Sequence, residues 1–208
     1  MAISQLIFER FSKYLKDCNS VLELGNQTFV RECIDKYPEK LIGFSHTTPV
    51  KKYVENKNIK HTSIDITGLD GSIPIDLNSS EIPLKEKFDL VTNFGTSEHI
   101  EPNQYEAFLH IHNLCKIGGL MIHEVPHVGF WEGHCKFYYD EAFFKKLAED
   151  NNYSIVEIKR INYPRVGDLV FAALKKNSKE FKSEKQDLER NIHKSEIKIN
   201  IPEYWKNE

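Results

Sequence analysis

Two segments of this chain hold the side chains best suited to move protons. The first reads Asn-Phe-Gly-Thr-Ser-Glu-His over residues 93–99, and the second contains three of the nine histidines, His123, His127 and His134. A neutral histidine accepts a proton near neutral pH, which makes it the usual base when a hydroxyl group must react. A tryptophan and two tyrosines lie in or just after the second segment. Aromatic walls with a few converging polar groups are typical of a pocket for a small molecule.

Acidic residues and glycines lie at the ends of apolar segments that have the length of strands. Glu23 and Gly25 end the first such segment, Asp65 ends the second, and Asp76 lies in a third. In open α/β sheets, ligands bind beyond the carboxyl ends of the strands. Glycine there allows the backbone to turn sharply and to approach a ligand that a side chain would block. The series therefore suggests a nucleotide-type cofactor.

The series resembles the Rossmann-like, class I S-adenosylmethionine-dependent methyltransferases, from about residue 20 to residue 175. The resemblance implies S-adenosylmethionine as cofactor and S-adenosylhomocysteine as product. It also implies that Asp65 accepts hydrogen bonds from both ribose hydroxyls and that Asp76 and Leu77 flank the adenine. The cofactor-binding residues expected from the resemblance are Glu23, Gly25, Asn26, Gln27, Asp65, Asp76, Leu77, Asn93 and Gly95.

The glycine motif after the first strand is reduced. The family usually continues with further glycines, whereas this chain has Asn26, Gln27 and Thr28. A pyrophosphate needs close backbone approach and free N–H groups, so the reduced motif disfavours a nicotinamide-dependent oxidoreductase. S-adenosylmethionine has no pyrophosphate. A degenerate methyltransferase-like binding or scaffold protein without catalysis stays open as the alternative.

Methyl transfer to a hydroxyl oxygen of a small polar acceptor is the function we expect. Candidate acceptors are sugars, nucleotide-linked sugars and other metabolites related to surface polysaccharides. Transfer from a sulfonium requires mainly that the acceptor atom is held in line, while a base removes the hydroxyl proton. His127 is the first candidate for this base, followed by His99 and His134.

A divalent metal is considered but not favoured. Glu98-His99 resembles the end of a Glu-x-x-Glu-His site in some ubiquinone-pathway O-methyltransferases. Imidazole and carboxylate groups can together hold a divalent cation. Gly95 stands where the first glutamate of that site would be. One ligand is therefore missing, and we assign no metal-binding residues.

The alternation of strand and helix patterns predicts a mostly parallel, seven-stranded α/β sheet with helices on both faces. A methyltransferase domain is expected over residues 1–176, with an N-terminal helix at 3–17 and a core at 20–175. Helices are expected at 28–37 and from Tyr105 to Gly118-Gly119, and a short strand at 73–77. From residue 177 to 208 a charged extension follows, read as an exposed helix and an extended arm at 197–201 that could dock on a second copy.

Composition narrows the class of protein. The formal net charge is -3, with 28 basic and 31 acidic residues, which gives no reason to expect a nucleic-acid partner. The four cysteines show no Cys-x-x-Cys spacing, so reduced, packed thiols are expected. Apolar runs are too short to cross a bilayer, and no basic-then-apolar leader is recognisable. A cytoplasmic protein without a membrane partner is predicted.

Overall fold

A computed structural model describes residues 2–131, 133–163 and 167–195. The strands are β1 Ala2–Ile3, β2 Ser20–Leu24, β3 Thr28–Phe29, β4 Lys60–Ile64, β5 Phe88–Phe94, β6 Cys115–Pro126, β7 Phe137–Tyr138, β8 Tyr153–Ile161, β9 Leu169–Lys176 and β10 His193–Lys194. The helices are α1 Gln5–Tyr14, α2 Arg31–Lys36, α3 Val50–Glu55, α4 Gln104–Leu114, α5 Glu141–Asp150 and α6 Lys185–Arg190. Short 3-10 turns occupy Leu69–Gly71 and Ser97–His99.

The central sheet has six strands in the order β4-β2-β5-β6-β9-β8. The first four run parallel, so their carboxyl ends meet at one edge of the sheet. β9 runs antiparallel to both β6 and β8. The predicted fold class, a mostly parallel sheet with helices on both faces, is confirmed, with six strands in place of the seven predicted, because residues 73–77 form only a single bridge. No helix in the described ranges is long and apolar enough to span a membrane, and the cytoplasmic location stays a prediction.

Alternating side chains of the strands feed two apolar cores. Leu22 and Val91 face the core shared with α4, α5 and α6, while Val21 and Leu90 face the core shared with α1, α2 and α3. A strand buried on both faces reads as a continuous apolar run, which is why β5 could be recognised in the sequence. Two helices begin at side-chain caps: Ser4 caps α1 and Asp140 caps α5.

Four predicted elements differ from the structure. The N-terminal helix expected at 3–17 spans Gln5–Tyr14, because Ala2–Ile3 pair with β3 and Ser4 caps the helix. Residues 73–77 form no strand, since Ile73 makes a single bridge with Ile64 and Pro74 lacks the N–H that would continue a ladder. The helix predicted from Thr28 begins only at Arg31, because Thr28–Phe29 pair with β1 instead. The helix predicted to end at Gly118-Gly119 ends at Leu114. Gly119 lies within β6, where a Cβ would be 2.9 Å from the carbonyl oxygen of Asp89.

Residues 177–195 of the charged extension pack against the body. Leu188 of α6 and Ile192 are buried in the same core as Phe143 and Leu147. The helix in the extension packs through Leu188, while Lys185, Gln186 and Arg190 are exposed as predicted. The predicted arm at 197–201, and the homodimer through it, lie outside the described residues and stay predictions.

Candidate active site

The loop after β2 makes the sharp turn expected of it. Gly25 has a φ of +81°, and its N–H donates to the carbonyl oxygen of Ile64 at 2.8 Å. A Cβ at this position would lie 2.8 Å from Gln27 Nε2 and 2.9 Å from Thr96 Oγ1. Glycine is therefore required both for its conformation and for its size. The close approach is made by the chain's own side chains, Gln27 and Thr96.

Asp65 lies beside this turn, at the end of β4. Its Oδ2 accepts from the backbone N–H of Asn26 at 3.0 Å, and its Oδ1 accepts from the N–H and hydroxyl of Thr67 at 2.9 and 2.6 Å. Burial alone would raise the pKa of Asp65, but the hydrogen bonds from Thr67 and Asn26 outweigh it, so the pKa lies below its usual range. Asp65 is therefore a half-exposed, ionised acceptor that ties two loops together.

Buried polar atoms without partners collect beneath the turn. Glu23 Oε2 lies 3.0 Å from His61 Nε2, yet neither group makes a well-formed hydrogen bond, and Gln27 Oε1 is also unpaired among the described residues. Burial raises the pKa of Glu23, and His61 opposes the rise. Buried acceptors normally have donors. Glu23 and Gln27 therefore fit a ligand that brings N–H groups, as the ammonium end of S-adenosylmethionine does.

Asp76 and Leu77, the pair expected at the adenine, differ in exposure. Asp76 is exposed, and its Oδ1 accepts from the N–H of Asn78 at 2.9 Å. Leu77 is buried in the core that also contains Ile75. The structure thus leaves the Asp76 carboxylate accessible and uses Leu77 for packing.

The loop after β5 is fixed by a buried polar network. Asn93 accepts from the N–H of Ser97 and donates to the Ser97 hydroxyl at 2.8 Å. Gln104 Nε2 donates to the Ser97 carbonyl at 2.7 Å, and the Tyr139 hydroxyl donates to Gln104 Oε1 at 2.6 Å. Gly95 has a φ of +69° and donates to the Glu124 carbonyl. Asn93 and Gly95, predicted to bind cofactor, hold the loop in shape in this structure.

The same loop and the loop after β6 bring His99, His134 and Trp131 together. The ring centroids of His99 and His134 are 5.3 Å apart, and those of His134 and Trp131 are 5.4 Å apart. Trp131 also donates from Nε1 to the Asp168 carbonyl at 2.9 Å, which ties it to the loop before β9. Burial and then the neighbouring His134 lower the pKa of His99 to about 4, and burial lowers the pKa of His134. Both rings are therefore neutral at pH 7.

His127, the first candidate for the base, has both ring nitrogens engaged. Nδ1 is 2.8 Å from the Val128 carbonyl oxygen, and Nε2 is 3.0 Å from Glu141 Oε2. Its contacts support a bracing role between the loop and α5. His123 is fully buried against Asn93, and burial lowers its pKa to about 3. His112 is a core histidine, as predicted, with its nitrogens at Tyr153 and Lys179.

Sequence reasoning missed the surroundings of two buried acidic residues. Glu124, at the end of β6, is buried and accepts two hydrogen bonds of 3.0 Å from Arg10 of α1. Glu98, considered only as a metal ligand or loop element, is buried with both carboxylate oxygens unpaired among the described residues. Neither has a sequence signal, because the partner of Glu124 lies far away in the chain and the burial of Glu98 depends on a loop.

A cavity of about 330 Å³ lies away from this edge, between residues 80–87 and the end of α4. Lys85, Lys87 and His110 line it. Lys85 and Lys87 donate to the carbonyls of Ile82 and Asn113, and His110 Nε2 lies 2.6 Å from the Ser79 carbonyl oxygen. The side-chain nitrogens of Lys85, Lys87 and His110 are thus already in hydrogen-bond contact with backbone carbonyl oxygens. In the described part of the chain, no group of three or more His, Cys, Asp or Glu side chains is arranged to hold a metal ion.

Comparison with known proteins identifies the fold. No protein-family model and no curated protein sequence matches the chain. Among solved structures, it is similar to the 1,6-didemethyltoxoflavin-N1-methyltransferase of Burkholderia thailandensis, with a TM-score of 0.56, 14% identity, and 84% of this chain and 76% of that chain covered. It is also similar to a SAM-dependent methyltransferase from Archaeoglobus fulgidus, with a TM-score of 0.55, 16% identity, and 82% and 92% covered. The chain therefore has the fold of the class I S-adenosylmethionine-dependent methyltransferases.

Proposed function

We propose that the protein transfers a methyl group from S-adenosylmethionine to a hydroxyl oxygen of a small polar acceptor, such as a sugar, a nucleotide-linked sugar or another metabolite related to surface polysaccharides. One observation carries the proposal. On a methyltransferase fold, the carboxyl edge of β2, β4, β5 and β6 gathers Asp65, Glu98, His99 and His134, with unpaired buried acceptors beneath. Ligands of open α/β sheets bind at this edge.

The cofactor would be held mainly by acceptors. Asp65 uses its oxygens for backbone and threonine donors, but a carboxylate offers about four lone-pair sites, so capacity remains for ribose hydroxyls. Exposed Asp76 can accept from the adenine amino group, and the unpaired oxygens of Glu23 and Gln27 can accept from the ammonium group. Asn26, Leu77, Asn93 and Gly95 would shape the loops around these acceptors.

When bound, S-adenosylmethionine supplies a methyl group on a positively charged sulfur, whose carbon–sulfur electron pair stays on the sulfur as the acceptor oxygen bonds to the methyl carbon. The chain has to orient the hydroxyl and take its proton. His99 is a neutral ring with about 38% of its side chain exposed, next to Trp131 and His134. His99 is better placed than His127 to accept that proton, because both nitrogens of His127 already face acceptors.

A second candidate function is a methyltransferase-like binding or scaffold protein without catalysis. It is favoured by the crowding above Gly25, where the side chains of Gln27 and Thr96 occupy the space that a bound cofactor approaches in the expected arrangement. The two functions differ in whether a bound cofactor turns over.

Calorimetric titration with S-adenosylhomocysteine tests the proposal. The intact protein should bind with about -7 to -8 kcal/mol, in the micromolar range. Asp65→Ala should weaken binding by about 1.5 to 3 kcal/mol, because hydrogen bonds to a charged group are lost. Asp35→Ala, which removes an exposed carboxylate from α2, is the control and should leave binding unchanged.

Two outcomes would contradict the proposal. Undetectable binding of S-adenosylhomocysteine by the intact protein would contradict the proposed methyltransferase function. Binding without any transfer of labelled methyl groups to a panel of sugars and nucleotide-linked sugars would favour the scaffold alternative.

A further inference from the structure

Glu98 is a buried carboxyl group that receives no well-formed hydrogen bond from another described residue; its own backbone N–H is close enough only to oppose part of the pKa rise that burial causes. The residue is 0% exposed, and neither Oε1 nor Oε2 has a partner among the described residues. Burial raises its pKa to about 8. An unpaired carboxylate in such surroundings costs several kcal/mol, which is why most buried acids are paired. The position of Glu98 therefore needs a reason other than stability.

Hydrogen bonds hold the loop that carries Glu98 on both sides of that residue. Ser97, the preceding residue, is held by Asn93 and Gln104 at 2.7 to 3.0 Å. The backbone carbonyl of Glu98 accepts from the N–H of Lys136 at 3.3 Å, and the N–H of His99 donates to the Thr96 carbonyl at 3.1 Å. These backbone contacts hold the main chain of Glu98 in place at the base of its side chain.

The nearest basic atom to this carboxyl belongs to His99. His99 Nε2 lies 3.8 Å from Glu98 Oε1, beyond hydrogen-bond distance, and His99 is partly exposed at the carboxyl edge while Glu98 is not. A movement of under about 1 Å would bring the pair into hydrogen-bond contact, and catalytic hydrogen bonds often tighten only when the ligands are bound. His99 therefore lies between the buried acid and the solvent at this edge of the sheet.

We propose that Glu98 is a positioning residue that acts through His99: its carboxylate orients the imidazole and stabilises the positive charge that His99 acquires on taking the proton of the acceptor hydroxyl. The proposal rests on the proposed function, since it assigns a role within that reaction. The acceptor proton moves to Nδ1 of His99, while Nε2–H donates to Glu98. The pair returns to its starting state when the imidazolium releases the proton to water after methyl transfer.

The working form of the pair has Glu98 ionised and His99 neutral. Since the pKa of Glu98 is about 8, this form is populated as the pH rises through that value. The other titratable groups that face the pair are Cys135, Tyr139 and His134. Burial and then Glu98 raise the pKa of Cys135 to about 12, burial raises the pKa of Tyr139 well above its usual value, and burial lowers that of His134. None of the three titrates near pH 8.

The test follows the ring nitrogens of His99 by NMR in the full chain labelled with ¹⁵N-histidine, from about pH 5 to about pH 10. In the native protein, His99 should report an ionisation with a midpoint near pH 8, the value of Glu98. Glu98→Gln should abolish that response. Glu101→Gln, which makes the same change at an exposed position in the same loop, should retain it.

A reciprocal measurement guards against a Glu98→Gln variant that does not fold. Infrared titration of the native protein should show a protonated carboxyl signal that ionises near pH 8, the value of Glu98. His99→Gln should displace that midpoint, because it removes the imidazole N–H that the proposal gives to the Glu98 carboxylate as a donor. Identical His99 responses with and without Glu98, or an infrared midpoint unchanged by His99→Gln, would overturn the proposal. Titration of the same samples with S-adenosylhomocysteine distinguishes the two proposals. If the protein binds S-adenosylhomocysteine but Glu98 and His99 titrate independently, only the role of Glu98 is contradicted. If the two residues are coupled but S-adenosylhomocysteine does not bind, only the proposed reaction is contradicted.

Discussion

Two histidine–carboxylate pairs lie at the same edge of the sheet and differ in how completely they are hydrogen-bonded. In the first pair, His127 Nε2 is 3.0 Å from Glu141 Oε2, and His127 Nδ1 is 2.8 Å from the Val128 carbonyl oxygen. In the second pair, His99 Nε2 is 3.8 Å from Glu98 Oε1. Neither oxygen of Glu98 receives a well-formed hydrogen bond from another described residue.

The difference separates two uses of the same pair of residue types. A complete pair contributes to stability, because both groups gain partners that compensate for lost water. An incomplete pair costs stability, and sites that break the usual rules of satisfaction are often functional. The comparison therefore supports our proposal that His99 and Glu98 act in the reaction, while the contacts of His127 and Glu141 fit a structural role.

The largest expected effect concerns stability against pH. The usual pKa of glutamate is 4.5, and that of Glu98 in the folded chain is about 8. Between these values the unfolded chain releases the proton and the folded chain keeps it, so the native protein loses stability as the pH rises. Glu98→Gln removes this loss, and the variant should gain about 3 to 5 kcal/mol relative to the native protein between about pH 5 and about pH 8. Urea unfolding of both proteins at the two pH values measures the gain.

Glu101→Gln is the control for that experiment, because its carboxylate is exposed. Its stability should follow that of the native protein at both pH values. If the stability of Glu98→Gln also followed that of the native protein at both pH values, Glu98 would have a hydrogen-bond donor in solution. The two histidine–carboxylate pairs would then not differ in how completely they are hydrogen-bonded.

The next effect concerns turnover. His99→Ala should lower kcat by about 100-fold or more on an acceptor that supports methyl transfer, with S-adenosylhomocysteine affinity retained, because the base is lost and the cofactor residues are not. His127→Ala should lower kcat less and should cost about 1 to 3 kcal/mol of stability, because it leaves Glu141 and the Val128 carbonyl without their donor. Steady-state kinetics and calorimetric titration on both variants measure the difference. The reverse pattern, with a folded His127→Ala protein losing turnover, would restore His127 as the base.

Much of the fold could be predicted because local signals agree with the tertiary structure. The apolar run of β5 and the cap of α5 by Asp140 were recognisable from a few residues each. The strand predicted at 73–77 failed because Pro74 interrupts the ladder after one bridge. The pairing of Thr28–Phe29 with β1 also escaped prediction, since it joins segments that are separated by α1 and β2.

The candidate site could be predicted only in outline. Residue types at strand ends located the edge, but they did not distinguish His127 from His99, because both lie in loops and the distinction depends on partners such as Glu141 and Val128. The unpaired state of Glu98 depends on the packing of two loops, one after β5 and one after β6. A single sequence carries no signal for it.

The smallest effect tests the scaffold pair. Glu141→Gln keeps an oxygen that can accept from His127 Nε2 but removes the charge, both from the pair and from the first turn of α5, where a negative charge is favourable. The variant should lose about 0.5 to 1.5 kcal/mol of stability while cofactor affinity is retained. Glu149→Gln, the same change at an exposed position near the end of α5, is the control and should lose nothing, because a negative charge near the carboxyl end of a helix is unfavourable. If urea unfolding showed no difference between the two variants, the His127–Glu141 contact would contribute no stability, and its geometry would no longer argue against His127 as the base.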